Sequence, residues 1–262
     1  MAGMPVVNGY VVSSNPRVTC VHEPTQAVTQ VMVHGGWGHR LRDEVSWVLR
    51  ACVAETPRVL LVDAARLDDP AGESAATWRI AARYAAESDP PISVIVCAAA
   101  GGLRRRLATG GVEQVPSMAA GLAAVARADD RAAVTHHVSL PAQHGVAALA
   151  RTMAADTCVA FALPHLDYPA RLIVSELVGN AVEHAGTNLD VWVSMRGAMV
   201  HLAVQDRSPA LPPLLDARPG NVRAGGMGLR IVAATATAWG ALPCAVGKVV
   251  WATLATRLRR VS

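Results

Sequence analysis

Ser175-Glu176-Leu177-Val178-Gly179-Asn180-Ala181-Val182-Glu183-His184 is the stretch on which the reading of this chain turns. A helix advances about 100° per residue, which puts Glu176, Asn180 and His184 on the side of Ile173 and Leu177. Polar groups therefore interrupt a face that should be buried. Left without partners, each would cost about 1–3 kcal/mol, and a charged one more. Either a protein network or a bound polar molecule has to satisfy them. For an isolated pair of this spacing the network is the commoner answer, so the choice rests on the residues further along the chain.

Downstream, the strand-like segment Met199-Val-His-Leu-Ala-Val204 runs into Gln205-Asp206-Arg207-Ser208-Pro209, which sets an acid at a strand end beside a turn. Next, Gly225-Gly226-Met227-Gly228-Leu229 opens a helical stretch expected from Met227 to Ala238. Glycines there let backbone N–H groups approach phosphate oxygens at a helix N-terminus. A helix bearing Glu and Asn, then an acid at a strand end, then a glycine-rich helix start form a specific order.

The blocks SELVGNAVEHA, VQDRSPALP, AGGMGLRIV and GKVVWATL, with the helix ALARTMAADTCVAF before them, resemble the GHKL (Bergerat-fold) ATPases, and most closely the anti-sigma-factor serine kinases. The resemblance spans residues 137–262 and implies an α/β sandwich that binds ATP. It implies that Asn180 coordinates Mg²⁺ bridging the phosphates, and that Glu176 orients or deprotonates the attacking nucleophile. Asp206 would accept the adenine amino group. Gly225, Gly226 and Gly228, with Met227 and Leu229, would cover the triphosphate, residues 212–224 being the mobile part of that lid. Arg151 matches a partner-contacting arginine. Two departures stand out: Ser208 and Ala210 replace glycines that make room for the base, and Val249 replaces a threonine that helps hold it.

The first half alternates differently. Val28 to Val33 is expected as a strand, His39 to Glu55 as an amphipathic helix, and Arg58 to Val62 as a short buried strand ending at Asp63. Gly72 to Glu87 is alanine-rich and helical, Ile92 to Val96 is a further strand, and helices are expected over Gly102 to Ala108 and Ser117 to Ala128. Such alternation argues for a separate α/β layer. Through VLLVDAARLDDPAG and LRRRLATGG, residues 16–128 resemble the STAS domain of anti-anti-sigma factors. Such domains present a hydroxyl residue that accepts phosphate from a partner kinase, within Asp-Ser-Ser-Gly or Asp-Ser-Thr-Gly. Here the sequence is Asp69-Pro70-Ala71-Gly72, and Ala71 has no hydroxyl. Ser74 is the nearest displaced alternative, although serine in a first helical turn usually bonds locally.

Bulk properties agree with two domains, 1–128 and 137–262, joined by a charged linker at 129–136. The chain has 262 residues, and each half is long enough for its own core. The net charge of +4 comes from dispersed residues apart from Arg104-Arg105-Arg106 and the C-terminal Arg257 to Arg260, which read as solvated faces, so no direct nucleic-acid contact is expected. No run reaches the roughly 18 apolar residues of a membrane span, and no signal segment is recognisable, which points to the cytoplasm. Cys20, Cys52, Cys97, Cys158 and Cys244 are scattered without a CxxC pair and read as free thiols. His136 and His137 read as exposed turn, and Trp37 as packing.

Two functions remain. One is a Mg-ATP-dependent serine/threonine kinase acting on a STAS-domain partner in a sigma-factor switch. The alternative is a non-catalytic partner-switching regulator, binding a STAS protein or a sigma factor, in which the degenerate STAS-like domain is a decoy or autoinhibitor; either is compatible with a homodimer. A sensor histidine kinase fits poorly, since His137 and His144 precede the ATPase blocks without a helical hairpin.

Overall fold

A computed structural model describes residues 9–12, 15–98, 101–127, 134–143, 145–212 and 227–257. The chain divides into two compact units, one of Val12–Ala132 with Pro243–Ala245, the other of Met1–Val11, Ala133–Leu242 and Val246–Ser262. Both are α/β. No helix among the described residues is long and apolar enough to cross a membrane.

Along the chain, β1 (Gly9–Val11) precedes β2 (Val18–Glu23), β3 (Val28–Gly36), α1 (His39–Glu55), β4 (Val59–Asp68), α2 (Ala75–Ala86), β5 (Ser93–Cys97), α3 (Gly102–Ala108), β6 (Glu113–Val115) and α4 (Met118–Arg127). The first unit's sheet has the order β2-β3-β4-β5-β6, with β2 antiparallel to β3 and the remainder parallel. Parallel strands need crossover helices and tend to be covered on both faces, which is why Val59-Leu60-Leu61-Val62 is buried throughout. Val59 and Leu61 join Val28, Ile95 and Cys97 against Val125 of α4, and the alternate residues point the other way. Arg104, Arg105 and Arg106 lie exposed on α3. Trp37 packs on Trp78, ring centroids 6.0 Å apart.

A polar knot holds the turn between β4 and α2. Asp69 accepts the backbone N–H groups of Glu73 and Ser74 at 2.8 and 2.9 Å, so its carboxylate satisfies donors at the start of α2 and complements the helix dipole. Ser74 donates its hydroxyl to Asp69 Oδ2 at 2.6 Å and accepts the Trp78 indole N–H at 3.0 Å. Ser74 is wholly buried. Ser74 is thus the locally bonded serine of a helix entry, its hydroxyl committed inside the domain rather than displayed as a displaced phosphate acceptor. Ala71 is the exposed residue, and it offers only a methyl group.

The second unit continues with β7 (Val134–Leu140), α5 (Ala147–Ala160), α6 (Pro164–His184), β8 (Leu189–Arg196), β9 (Met199–Asp206), α7 (Met227–Thr235), β10 (Ala238–Cys244) and β11 (Gly247–Ala255). Its six-stranded sheet has the order β1-β10-β11-β9-β8-β7. Neighbours β7–β8, β8–β9 and β9–β11 are antiparallel, whereas β1 runs parallel to β10, Gly9 opposite Trp239. Ile173, Val174, Leu177 and Val178 of α6 pack with Val191 and Val193 of β8 and Val200, Leu202 and Val204 of β9. Ala150, Ala154 and Cys158 supply a small-residue stripe from α5 to the same core.

Several boundaries differ from the sequence reading. Strand β1 belongs to the second unit's sheet rather than to a first domain of residues 1–128. Val134, Thr135 and His136, read as linker, open β7, and His137 lies in that strand rather than in a turn. Its Nε2 sits 3.0 Å from Asp190 Oδ1, and its ring stacks on Trp192. Residues 129–133 of the expected linker lie outside the described residues. Helix α7 stops at Thr235 because Ala238 already begins β10. Cys20, Cys52, Cys97 and Cys158 are buried and form no disulfide, and the less buried Cys244 forms none either.

These buried polar groups set two expectations for stability. Asp69→Ala strips three hydrogen bonds from the α2 entry and leaves a buried hydroxyl short of its acceptor, so urea unfolding is expected to show a loss of about 2–4 kcal/mol. His201 on β9 is wholly buried, and burial first, the Arg196 guanidinium second, push its pKa well below the usual imidazole value. It stays neutral in the fold, whereas the unfolded chain takes up a proton near about pH 6.5. Its contribution is therefore complete above that pH and falls as pH drops below it, by at most about 1.4 kcal/mol per pH unit. Urea midpoints at pH 7.5 and 5.5 are expected to separate less in His201→Gln than in the parent.

Candidate functional site

The site grows from α6. Its core stripe, Ala170, Ile173, Val174, Leu177, Val178 and Ala181, is fixed against the sheet, which sets the rotation of every other residue on the helix. Glu176 and Asn180 come out half-buried at the edge of this stripe, one turn apart, while His184 is exposed. His184 therefore drops out of the polar face expected from the sequence, because the helix ends there at the surface.

Opposite Glu176 and Asn180 stands Gly228, the second residue of α7. A Cβ at Gly228 would lie 2.5 Å from Glu176 Oε2 and 3.5 Å from both amide atoms of Asn180. The absent side chain thus leaves a cradle where the glycine backbone, the carboxylate and the carboxamide meet. Asn180 Nδ2 is buried and makes no hydrogen bond among the described residues. An amide nitrogen stranded beside a glycine gap is what a polar ligand would relieve, and this fits a phosphate and cation site. Among the described residues no three His, Cys, Asp or Glu side chains gather into a metal site of their own.

Met227 is exposed at the start of α7, and Leu229 is buried in the core, so the latter anchors the helix rather than lining the gap. Gly225 and Gly226, like residues 213–224 of the expected lid, lie outside the described residues. Arg151 on α5 donates from Nη1 to Ser175 Oγ at 3.2 Å, which holds the guanidinium beside the residue that precedes Glu176. Gly228 thus meets the helix that carries Glu176 and Asn180.

Asp206 ends β9 and is buried, but it is not waiting for a partner. Lys248 Nζ lies 2.8 Å from its Oδ2 and 2.9 Å from its Oδ1, and the Ser208 N–H donates to Oδ1 at 2.8 Å. The pairing follows from register, since Lys248 of β11 sits directly across from Asp206. Sequence reasoning passes over Lys248. The available signal is a single cation entering an otherwise apolar strand, Val249-Val250-Trp251-Ala252. Val249, expected to withhold a hydrogen bond from the base, is wholly buried. Ala210 follows within the same turn, its N–H donating to Ser208 Oγ at 3.3 Å.

A groove of about 690 Å³ runs beside α6, lined by Gln143, Gly145 and Val146 on one side and Val178, Val182 and Glu183 on the other. Glu176, Asn180 and Asp206 do not line it. The convergence of side chains, rather than this groove, marks the candidate site.

No curated protein sequence matches the chain. In its N-terminal region the structure is similar to an anti-sigma factor antagonist from Mycobacterium paratuberculosis, at 20% sequence identity over 44% of this chain and 99% of that one, with a TM-score of 0.34. Residues 167–257 match the family described as histidine kinase-, DNA gyrase B-, and HSP90-like ATPase, a stretch that takes in Glu176, Asn180, Asp206, Gly228 and Lys248. Domains of this family bind ATP, typically with Mg²⁺. Carrying the helix with Glu176 and Asn180, strands β8, β9, β10 and β11, and helix α7, the segment 167–257 is a histidine kinase-, DNA gyrase B- and HSP90-like ATPase domain.

Proposed function

We propose that the protein is a Mg-ATP-dependent serine/threonine kinase of the partner-switching type, acting on a separate STAS-domain protein that controls a sigma factor. The observation that carries this reading is the meeting of Glu176, Asn180 and the side-chain-free Gly228 at the start of α7. Asn180, after rotation of its amide, would give Oδ1 to the cation, and its stranded Nδ2 would gain a phosphate oxygen. Held by Asn180, Mg²⁺ would supply charge neutralisation for the phosphates. Glu176 would align the partner's hydroxyl and take its proton as that oxygen bonds to the γ-phosphorus and the bond to the bridging oxygen of ADP breaks. Positioning and electrostatics account for nearly all of such catalysis. Arg151, held against Ser175, would meet the partner close to the reacting hydroxyl.

A regulator without phosphotransfer is the second reading. It is favoured by the Asp206–Lys248 pair, which fills the acceptor expected to read adenine, and by Ala71, which removes the usual phosphate acceptor from the chain's own first unit.

Calorimetry on the full chain distinguishes a working site from a silent one. Mg-ATP is expected to bind, and Asn180→Ala to weaken it at least about tenfold through loss of a charge-assisted contact; equal heats from both proteins would show that Asn180 plays no part. With a STAS-domain partner and labelled ATP, Glu176→Gln is expected to keep nucleotide binding while slowing transfer about 10²–10⁴-fold. Gly228→Ala, whose methyl would displace the Glu176 carboxylate, is expected to slow it likewise. Binding without transfer in the unaltered protein would select the regulator.

A further inference from the structure

Lys248 is the cation of a buried pair with Asp206, the acid that the nucleotide-binding reading sets against the base. Its side chain is 8% exposed and that of Asp206 2%. An ammonium has three N–H donors, and three oxygens surround this one: Asp206 Oδ2 at 2.8 Å, Asp206 Oδ1 at 2.9 Å and the Ser208 carbonyl at 3.4 Å. Oδ1 also accepts the Ser208 N–H at 2.8 Å. The strand register holds Lys248 opposite Asp206, and a Cβ at Gly247 would collide with the Asp206 and Arg207 backbone, so β9 and β11 are pressed together at this point. Desolvating both ions is costly, and the pair is retained only because each satisfies the other.

A free carboxylate would favour a ligand amine strongly, because the hydrogen bond it accepts carries its charge. A carboxylate already neutralised by an ammonium offers one remaining lone pair on Oδ2 and little net field. From these contacts we infer that Lys248 is a base-specificity residue: by taking the place of an exocyclic amine on Asp206, it makes the nucleotide site tolerant of purines that carry a carbonyl at position 6 as well as of adenine. The inference rests on the nucleotide-binding reading given under the proposed function and names the substrate class of that same site.

The test titrates the full-length protein with Mg-ATP and with Mg-ITP, whose hypoxanthine replaces the 6-amino group with a carbonyl. The unaltered protein is expected to bind the two with dissociation constants within about threefold of each other. Lys248→Met frees Asp206 and is expected to raise the preference for ATP about tenfold or more, the worth of one hydrogen bond to a charged group. Lys248→Arg keeps a cation against the carboxylate and is expected to leave the ratio near its starting value. Should Lys248→Met not fold, the ratio measured on the unaltered protein still decides, because it needs no variant. A preference for ATP of a hundredfold in the unaltered protein, or an unchanged ratio in a folded Lys248→Met, overturns this inference while leaving the nucleotide site standing. Binding of neither triphosphate by any of the three proteins overturns the nucleotide reading and this inference with it.

Discussion

One helix has to do two incompatible things. Helix α6 must bury an apolar stripe against β8 and β9 and also carry a carboxylate and a carboxamide beside that stripe. The conflict is resolved by angle: Ile173, Leu177 and their neighbours lock the helix, and Glu176 and Asn180 are left at the rim, half-buried, where only a residue without a side chain can approach. Gly228 is that residue. Everything else in the second unit serves this alignment. The small stripe of α5 lets α6 sit close, Leu229 pins α7 from below, and Arg151 braces the turn that carries Ser175.

Much of this was legible because periodicity survives in sequence. Helices α1, α2, α3 and α4, strands β3, β4 and β5, and the Glu176, Asn180 and Asp206 placements all follow from spacing and from residue type. Strand β2 was hidden for a physical reason: its inward positions are Val18, Cys20 and His22, so a polar residue stands where alternation demands an apolar one. His22 is tolerated there because Thr29 Oγ1 lies 2.8 Å from its Nδ1 and Glu55 Oε1 3.3 Å from its Nε2, partners that only the fold brings near. Three-residue strands such as β1 and β6 leave no period to detect.

The same contrast runs through the charged residues. Asp69 and Asp206 look alike in sequence, each an acid at or just past a strand end, and each turns out to be consumed by its own surroundings. Asp69 is spent on the entry of α2, and Asp206 on a cross-strand ammonium. Sequence shows an acid in the right place. It does not show whether the acid is still available, because that depends on a register set by residues far along the chain.

The parallel pairing of β1 with β10 has a consequence for how the molecule is made. Residues 12–132 are an insertion within the second unit, whose sheet takes one edge from the ninth to eleventh residues and the neighbouring strand from almost the end of the chain. On the ribosome the inserted unit can complete itself first, and the pairing of β1 with β10 forms only once β10 has emerged. A contact so distant along the chain is slow to close. Cutting the gene between the two apparent halves would therefore yield an ATPase sheet that lacks its outer strand and exposes the hydrogen-bonding edge of β10, an invitation to pair with other copies.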